Sequence, residues 1–318
     1  MTPPVARSAA SALGAAAAVG VGALAYGAFV ERNAFHVRQE VVPILRPGAR
    51  PITVLHISDL HMAPWQTEKQ DWVASLIRYE PDLIVNTGDN LGHADGLVGV
   101  ERALAGFDGI PGVFVHGSND FYGPTFKNPL KYLVAPSGAH GPEEPDLDTA
   151  ALDRFFQRLG WLDLNNAARA IELRGSRLEF FGTGDAHRGW DRLGKVTAAV
   201  DEMRENVTWS DSSSGGEPVT IAATHAPYRR VLDSLVTHGA DLIFAGHTHG
   251  GQVRVPGRPA IVTNCDVPRE QAQGLSTWRH SGRSSYLEVS AGLGTSIYAP
   301  VRFGCPPEAV VLTLTAAS

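Results

Sequence analysis

Five short segments of the chain combine Asp, His and Asn with Gly, and these residue types bind metal ions and move protons. Together they supply carboxylate oxygens, imidazole nitrogens and amide oxygens, and no cysteine lies among them. Such a mixed nitrogen and oxygen set suits borderline divalent ions such as Mn, Fe, Zn or Co. The five segments are Asp59-x-His61, Gly88-Asp89-Asn90, Gly117-Ser118-Asn119-Asp120, Thr224-His225 and Gly246-His247-Thr248-His249-Gly250-Gly251.

Each segment alone is ambiguous, because an Asp at the end of a strand often caps a helix instead of binding a ligand. The joint pattern is more informative, since all five segments follow short apolar runs that read as strands. The carboxyl ends of parallel strands gather at one edge of a sheet, where α/β proteins bind their ligands. The five segments are therefore expected to converge in space.

The first three segments follow predicted strands at residues 52–58, 83–87 and 112–115, which are short and rich in β-branched side chains. Helical stretches separate them, and this alternation predicts a mainly parallel sheet. The two His segments follow predicted strands at 219–223 and 242–245. Further strands are predicted at 170–173, 178–181, 286–289 and 310–314, helices at 152–159 and 196–205, and a long surface loop, a candidate lid, at 122–150.

Composition limits the classes of protein that the chain can belong to. Its 318 residues are 43% hydrophobic, enough for a large α/β core. The net charge of −6, with no long basic run, argues against a nucleic-acid partner. Two cysteines 40 positions apart, Cys265 and Cys305, exclude a cysteine zinc knuckle and a disulfide-dense scaffold. No internal repeat is found, so one catalytic domain at 51–318 is predicted, after an N-terminal segment at 1–50.

The N-terminal segment contains 23 uncharged residues, 8–30, long enough to cross a membrane as one helix. Ala and Gly dominate this stretch, so its apolar character is weak. Arg7 precedes it, which favours a cytoplasmic N-terminus and a catalytic domain on the extracytoplasmic side of the membrane. A single-pass membrane protein is therefore expected. A cleaved export signal and an Ala-rich soluble helix are the alternatives.

The five segments, in this order and rough spacing, resemble the calcineurin-like metallophosphoesterase superfamily. The run Gly246-His247-Thr248-His249-Gly250-Gly251-Gln252-Val253 and the late stretch Val301-Arg302-Phe303-Gly304-Cys305-Pro306-Pro307-Glu308 look like its YkuE-type exported or membrane-attached bacterial branch. The resemblance covers about residue 52 to the C-terminus. It implies a four-layer α/β/β/α sandwich of two mixed sheets, here preceded by the transmembrane helix, with two divalent metal ions between loops at the strand ends.

The resemblance also implies a role for each matching residue. The first metal ion would be held by Asp59, His61, Asp89 and His249. The second would be held by Asp89, Asn119, His225 and His247, so that Asp89 bridges the two. Two cations roughly 3.5–4 Å apart bind a phosphoryl oxygen, neutralise developing charge and generate hydroxide for in-line attack. The expected reaction is hydrolysis of phosphate monoesters or diesters.

The third segment departs from the family pattern Gly-Asn-His-Asp/Glu, because it reads Gly117-Ser118-Asn119-Asp120. Aligned without a gap, Ser118 takes the place of the metal-binding Asn and Asn119 that of the catalytic His. A shift by one residue keeps Asn119 as the ligand and loses only the His. The shift is favoured, since a Ser hydroxyl substitutes poorly for an amide oxygen. His116 is the candidate replacement acid, and His93 and His187 are weaker candidates.

Three functions remain open on the sequence alone. A phosphoesterase acting on phospholipid-like or cell-envelope esters is favoured, but its lipid substrate depends on the membrane helix. The missing His leaves a catalytically slow, metal-bound sensor or binding module as the alternative. A structural membrane-attached domain without metal ions would leave the five segments unexplained.

Overall fold

The fold is known from a computed structural model, which describes residues 4–125, 145–208 and 217–317. Within helix 4–29 the side chains of residues 4–13 and 16 are not part of that description. The loop predicted at 122–150 falls mostly on residues 126–144, outside the described residues, and so does any lid formed by it.

Six α-helices and twelve β-strands lie in the described ranges. The helices are α1 Pro4–Phe29, α2 Thr67–Ala74, α3 Gly96–Leu104, α4 Thr149–Arg158, α5 Leu193–Asn206 and α6 Arg229–Thr237. The strands are β1 His36–Leu45, β2 Ile52–Ile57, β3 Leu83–Asn86, β4 Gly112–Phe114, β5 Trp161–Asp163, β6 Ala167–Leu173, β7 Ser176–Gly182, β8 Val219–Thr224, β9 Leu242–Ala245, β10 Gly274–His280, β11 Arg283–Val289 and β12 Glu308–Ala316.

The strands form two six-stranded sheets. The first has the order β1-β12-β2-β3-β4-β5, in which only the β12–β2 pair is antiparallel. The second has the order β10-β11-β9-β8-β7-β6, parallel in its centre and antiparallel at both edges. The prediction of two mixed α/β sheets is confirmed.

Apolar side chains form three layers, which explains why the central strands read as continuous apolar runs. Val54, Leu83 and Phe244 belong to a cluster between the two sheets. Their sequence neighbours Leu55 and Ile84 point the other way, into a cluster that also contains α2, α3 and α4 side chains. A third cluster joins α5 and α6 to the outer face of the second sheet. Successive residues of a strand alternate between faces, so both faces of each sheet are covered.

The strand predictions hold for the buried central strands and fail at three of the four edge strands, β1, β5 and β10. The predicted strand at 242–245 coincides with β9, and the one at 52–58 ends one residue early, at Ile57. The edge strands β1 and β10 were not predicted, because half-exposed side chains break the apolar run. β1 lies upstream of residue 51, yet it pairs in parallel with β12 from His36 onwards.

The N-terminal prediction needs correction. Helix α1 has 26 residues, but no helix in the described part of the chain is long and apolar enough to cross a membrane. The prediction of a single-pass membrane protein with an extracytoplasmic catalytic domain is therefore wrong. Its physical weakness is the Ala and Gly content, since these residues add length with little apolar surface. The end of α1 contacts the chain near residue 302, where Arg302 donates its backbone N–H to the Gly27 carbonyl (3.1 Å).

A buried ion pair joins the two sheets. The Arg38 side chain of β1 donates to Glu308 of β12 in its own sheet (Nε to Oε2, 3.1 Å). It also donates to Glu288 of β11 in the other sheet (Nη1 to Oε2, 3.1 Å). Both glutamate side chains are fully buried, and burial is the main cause that raises the pKa of Glu288 to about 7. Arg38 is therefore the cation that makes two buried carboxylates tolerable.

Replacing this cation should destabilise the sandwich. We expect Arg38→Ala to lower the free energy of unfolding by about 3–5 kcal/mol, because it leaves Glu288 and Glu308 buried without their partner. The measurement is urea denaturation followed by circular dichroism. Arg258→Ala, which removes an exposed arginine, is the control and should change the free energy by less than about 0.5 kcal/mol. Equal effects of the two variants would remove Arg38 from this role.

Candidate metal centre

The five predicted segments converge at the ends of β2, β3, β4, β8 and β9, which come from both sheets. Five of their non-glycine residues have positive φ angles, which residues other than Gly rarely adopt. Such outliers persist only where the surrounding structure enforces them, and they cluster at functional sites. These five are Asp59 (50°), His61 (39°), Asp89 (55°), His247 (68°) and His249 (47°).

Two groups of side chains place their ligand-type atoms close together. One group is Asp59, His61 and His249, and the other is Asp59, Asp89 and His225; within each, the atoms lie within 4.8 Å of one another. The groups share Asp59, and Asp89 also approaches the first group, with Oδ2 3.6 Å from His61 Nε2. The sequence prediction made Asp89 the shared residue, whereas this geometry brings Asp59 into both groups.

Two buried ligand-type atoms of these two groups have no hydrogen-bond partner. They are Asp59 Oδ1 and His225 Nε2. His249 Nε2 lies 3.5 Å from Asp59 Oδ1, and Asp89 Oδ2 lies 3.4 Å from His225 Nε2. Buried polar atoms without partners are rare in folded proteins and call for an explanation such as a bound ion.

Hydrogen bonds to the outer ring nitrogens orient two of the histidines. His225 Nδ1 lies 2.7 Å from the Thr87 carbonyl, to which it donates. His247 Nε2 lies 3.1 Å from the Asn264 carbonyl in the same way. A ring nitrogen that donates to a carbonyl leaves the opposite nitrogen with its lone pair, as in metal sites of proteins. His225 Nε2, once it has lost its proton, and His247 Nδ1 are therefore the nitrogens available to an ion.

The carboxylate of Asp120 fixes the backbone of two segments. It accepts the backbone N–H groups of Asp89 (2.9 Å), Asn90 (2.6 Å) and Gly117 (3.1 Å). Gly117 itself must be glycine, since a Cβ atom there would lie 2.1 Å from Asp89 Oδ1 and 2.6 Å from His225 Nε2. The third segment is thus packed directly against the two carboxylate and imidazole groups of the centre.

Asn119 is the residue of the altered third segment that contacts Asp89. Its side-chain Nδ2 donates to Asp89 Oδ2 (2.6 Å) and its backbone N–H donates to Asp89 Oδ1 (2.9 Å). Ser118 and Asn119 are both half-buried. The structure therefore places Asn119 against Asp89 at the centre.

Burial and charge separate the protonation behaviour of the two central carboxylates. Burial raises the pKa of Asp59 to about 6. Burial acts in the same direction on Asp89, but the nearby positive charge of His225 outweighs it and holds the pKa of Asp89 well below its usual value. Burial lowers the pKa of His61 to about 4. Asp59 therefore holds its proton to a higher pH than Asp89 does, and positive charge placed next to Asp59 would favour its ionised form.

His116, a candidate catalytic residue, has both ring nitrogens close to carboxylates. Nδ1 lies 3.3 Å from Asp120 Oδ2, and Nε2 lies 2.7 Å from Asp153 Oδ1. Burial works against the charged ring, but the two carboxylates outweigh it and raise the pKa of His116 to about 9. Phe114, Phe121 and Phe156 surround the ring. His116 is thus a buried imidazolium that anchors Asp120.

The other two candidate histidines lie in different surroundings. The His187 ring packs 4.6 Å from the His247 ring and places Nδ1 3.0 Å from the Tyr228 hydroxyl. His93 packs on Trp65 and lies 3.6 Å from the exposed Asp95. His187 therefore adjoins the centre through His247, which the sequence alone did not indicate.

Three buried residues at the centre were not predicted. Lys69 donates to the carbonyls of Leu60 and His61, and burial lowers the pKa of Lys69 to about 7. Arg302 donates to the carbonyls at 291, 292 and 294 and lies 3.3 Å from His249 Nδ1. Asp185 is 1% exposed, and its Oδ2 has no hydrogen-bond partner. Asp185 had a sequence signal, since Gly184-Asp185 follows β7 as Gly88-Asp89 follows β3. Arg302 lies in the late stretch at 301–308 that resembles the YkuE-type branch.

Comparison with known proteins identifies relatives over most of the chain. A family model described as calcineurin-like phosphoesterase matches residues 52–251. The uncharacterized protein YpbG of Bacillus subtilis is 24% identical, covering 88% of this chain and 87% of its own. The phosphodiesterase YaeI of Escherichia coli is also 24% identical (91% and 92%), and the uncharacterized metallophosphoesterase YkuE of Bacillus subtilis is 21% identical (95% and 93%).

Solved structures resemble the chain more distantly. The NAD nucleotidase of Haemophilus influenzae aligns with 77% of this chain and 51% of its own, at 10% identity and a TM-score of 0.44. This chain thus spans about half the length of that protein. The family assignment depends on the sequence matches.

The imidazolium of His116 predicts how stability changes with pH. Its pKa in the folded protein, about 9, lies above the ordinary value of 6.5. Its contribution is therefore complete below pH 6.5 and is lost as the pH rises through 9, by about 3 kcal/mol in total. We expect wild type to lose this increment between pH 6 and 9.5, and His116→Gln to lack it, in urea denaturation at both pH values. His93→Gln is the control, and a parallel pH dependence in wild type and His116→Gln would contradict the ion pair.

Proposed function

The chain belongs to the calcineurin-like phosphoesterase family, and on this premise we propose that its strand-end segments hold two divalent ions that promote hydrolysis of phosphate monoesters or diesters. It is a metal-dependent phosphoesterase, and its family uses two divalent metal ions. The observation that supports this site most directly is the pair of unpartnered buried atoms, Asp59 Oδ1 and His225 Nε2, at the meeting point of the five segments.

The donor set fits a pair of divalent ions. Carboxylates, imidazoles and an amide surround the centre. In His225 and His247, one ring nitrogen already donates a hydrogen bond to a backbone carbonyl, which leaves the other nitrogen for an ion. Burial of Asp59 beside Asp89 also leaves negative charge that a cation would neutralise. The metal ligands in this proposal are Asp59, His61, Asp89 and His249 for one ion, and Asp89, Asn119, His225 and His247 for the other.

The proposal assigns each part of the chemistry to named groups. The two ions, when bound, neutralise charge on the phosphoryl oxygens and activate water. Asp89 and Asn119 line the place where the phosphoryl group would be held, and Asp120 keeps their backbones in position. Thr87 and Asn264 hold His225 and His247 in the required tautomers through their carbonyls.

The third segment has no histidine that could donate a proton to the departing alcohol. It reads Gly117-Ser118-Asn119-Asp120, whereas the family pattern has a His after its metal-binding Asn. His116 is the proposed catalytic residue for this step, as an imidazolium whose Nε2 proton lies on the Asp153 side. The pairing with two carboxylates supports a positioning role for the same residue. Variants on matched substrates distinguish the two roles.

A relative named a phosphodiesterase, YaeI, favours a diester. The phospholipid-like or cell-envelope ester expected from the sequence depended on a membrane helix, and no helix of the described residues supports it. A YkuE-type branch is supported by the 21% identity to YkuE over 95% of this chain, without the membrane attachment. The catalytic domain is proposed to cover 51–318. The edge strand β1 precedes these residues in the sequence and pairs with β12 of the domain.

A slow, metal-bound sensor or binding module is the second candidate function. The replacement of the family His at the third segment favours it, since general acid help is typically worth about 10²–10⁴-fold. This candidate requires bound metal ions without turnover of any ester. An enzyme requires bound metal ions together with turnover.

The first prediction concerns metal content. Purified full-length protein should contain about two divalent ions per chain by elemental analysis, and Asp89→Ala should lose both, because it removes the proposed bridging carboxylate. If Asp59 bridges instead, Asp59→Ala will lose both ions and Asp89→Ala only one. Asp108→Ala, at an exposed loop position, is the control and should keep both. Full metal content in both site variants would refute the assigned ligands.

The second prediction concerns the altered segment. Asn119→Ala should abolish hydrolysis of an aryl phosphodiester with added Mn, whereas Ser118→Ala should be mild, because Asn119 contacts Asp89. The reverse order of damage would support the unshifted register. Steady-state kinetics of each variant, with metal content measured in parallel, separates loss of ligand from loss of fold.

The leaving group tests the acid. Aryl esters should react far better than alkyl esters in wild type if protonation is unaided, because a weakly basic departing oxygen needs little acid. If His116 supplies the proton, His116→Gln should slow alkyl esters by about 10²–10⁴-fold and aryl esters much less. Equal losses on both classes would identify His116 as a positioning residue. A protein with two bound ions and no activity on any ester would favour the sensor.

A further inference from the structure

A cavity of about 430 Å³ opens beside the metal centre. Its walls combine the aromatic rings of Phe121 and Trp190 with the carboxylates of Asp153, Asp163 and Asp185 and the ring of His116. The two aromatic rings meet edge to face, 4.9 Å between centroids. This composition differs from that of the metal centre, whose described ligand-type side chains are carboxylates, imidazoles and an amide.

The cavity adjoins the side of the centre that carries His225 and His247. His116 in its wall directly precedes Gly117, which packs against Asp89 and His225. Asp185 in its wall begins the short turn that carries His187, whose ring packs 4.6 Å from His247. A phosphate ester held at the centre would therefore direct one of its ester groups into this cavity.

Several hydrogen-bond donors of the cavity are already used within the protein. Asn165 Nδ2 donates to Asp163 Oδ1 (2.7 Å), and Asn166 Nδ2 donates to the Trp190 carbonyl (3.1 Å). Both ring nitrogens of His116 lie against Asp120 and Asp153. A polyhydroxylated ligand such as a sugar needs donors as well as acceptors, so these bonds reduce what the cavity offers to such a ligand.

An acceptor remains, and it is buried. Asp185 is 1% exposed, its Oδ1 accepts the His187 backbone N–H (2.8 Å), and its Oδ2 has no hydrogen-bond partner. A buried carboxylate oxygen without a partner calls for a ligand, an ion or water. The lining as a whole carries three carboxylates and one imidazolium, so a cation is the favoured complement.

The aromatic walls suit the same kind of ligand. Arg188 places its guanidinium 4.4 Å above the Tyr122 ring and 5.8 Å from the Trp190 ring, which shows that these ring faces accept a positive charge. Aromatic faces next to carboxylates bind ammonium groups through the ring quadrupole. Counting Arg188 as well, the carboxylates around the cavity still outnumber the cations.

We propose that this cavity binds an ammonium-bearing ester group of the substrate, with its positive charge against Asp185 and the Trp190 ring. The substrate class is thus a phosphate ester of an amino alcohol. The inference rests on the proposed phosphoesterase function, because that function places the phosphoryl group next to the cavity.

The test compares two chromogenic diesters of the same shape. The p-nitrophenyl ester of phosphocholine carries a quaternary ammonium, and p-nitrophenyl 3,3-dimethylbutyl phosphate replaces its nitrogen by carbon. The metal-loaded full-length protein should show kcat/KM at least about tenfold higher for the choline ester. Asp185→Asn should bring this ratio close to one, because it removes the charge while keeping the shape. Asp201→Asn, at an exposed position of α5, is the matched control and should keep the wild-type ratio.

A second variant and a binding measurement test the cavity independently, in case Asp185→Asn does not fold. Trp190→Leu should also lower the ratio, since it removes the aromatic face. Saturation-transfer NMR should show tetramethylammonium bound to wild type and Asp201→Asn but released from Asp185→Asn. This readout needs no turnover, so it tests the cavity even if neither ester is hydrolysed, which would overturn the proposed function alone.

Three outcomes would overturn the inference. Equal kcat/KM for the two esters in wild type would show that the cavity ignores charge. A preference that survives both Asp185→Asn and Trp190→Leu would place the ammonium elsewhere. Stronger selection for a p-nitrophenyl glycosyl phosphate than for the choline ester would identify a polyol site.

Discussion

Two carboxylates buried side by side, Asp59 and Asp89, are the constraint on which the site depends. Burying an unpaired carboxylate is costly, and two adjacent ones are worse because they repel each other. The chain supplies part of the compensation through His225, which holds the pKa of Asp89 well below its usual value. The remainder is left to a ligand, as the unpartnered Asp59 Oδ1 and the raised pKa of Asp59 show. The site is thus built for cations that are not part of the polypeptide.

The loops that carry these groups are held by buried charges on their outer side. Asp120 gathers the backbone N–H groups of the second and third segments, and His116 neutralises Asp120. Lys69 and Arg302 bind carbonyls on the other side, next to His61 and His249. These contacts hold backbones at positive φ, which would otherwise relax. The stability of the protein and the geometry of the centre therefore depend on the same charges.

The centre also depends on the alignment of two sheets, since Asp59 and Asp89 follow strands of one and His225 and His247 follow strands of the other. The apolar layer between the sheets supplies most of the attraction but little directionality. The bonds from Arg38 to Glu288 and Glu308 are directional and join the sheets across that layer. They are made by β1, an edge strand of the first sheet.

The amino-acid sequence by itself determined which strands are buried and which residues follow them. Apolar runs such as that of β9 can be recognised in the sequence because both faces of a central strand are covered by other parts of the protein. The ligand-type residues that follow such strands then indicate a metal site. The same sequence pattern did not predict β1, because its side chains are half-exposed and the strand forms by pairing with β12. It also led to a wrong prediction for α1, whose length suggested a membrane span.

Only the tertiary structure decided which of the polar residues meet. It brought Asn119 of the third segment against Asp89 and placed both ring nitrogens of His116 next to carboxylates. It also placed Asp185 and His187 on the side of the centre that carries His247. The physical reason is that burial and hydrogen-bond partners arise from segments more than a hundred residues apart, as Thr87 and His225 illustrate. The type of a residue determines which ligands its side chain can bind, whereas its hydrogen-bond partners in the folded protein determine which of its atoms remain free to bind them.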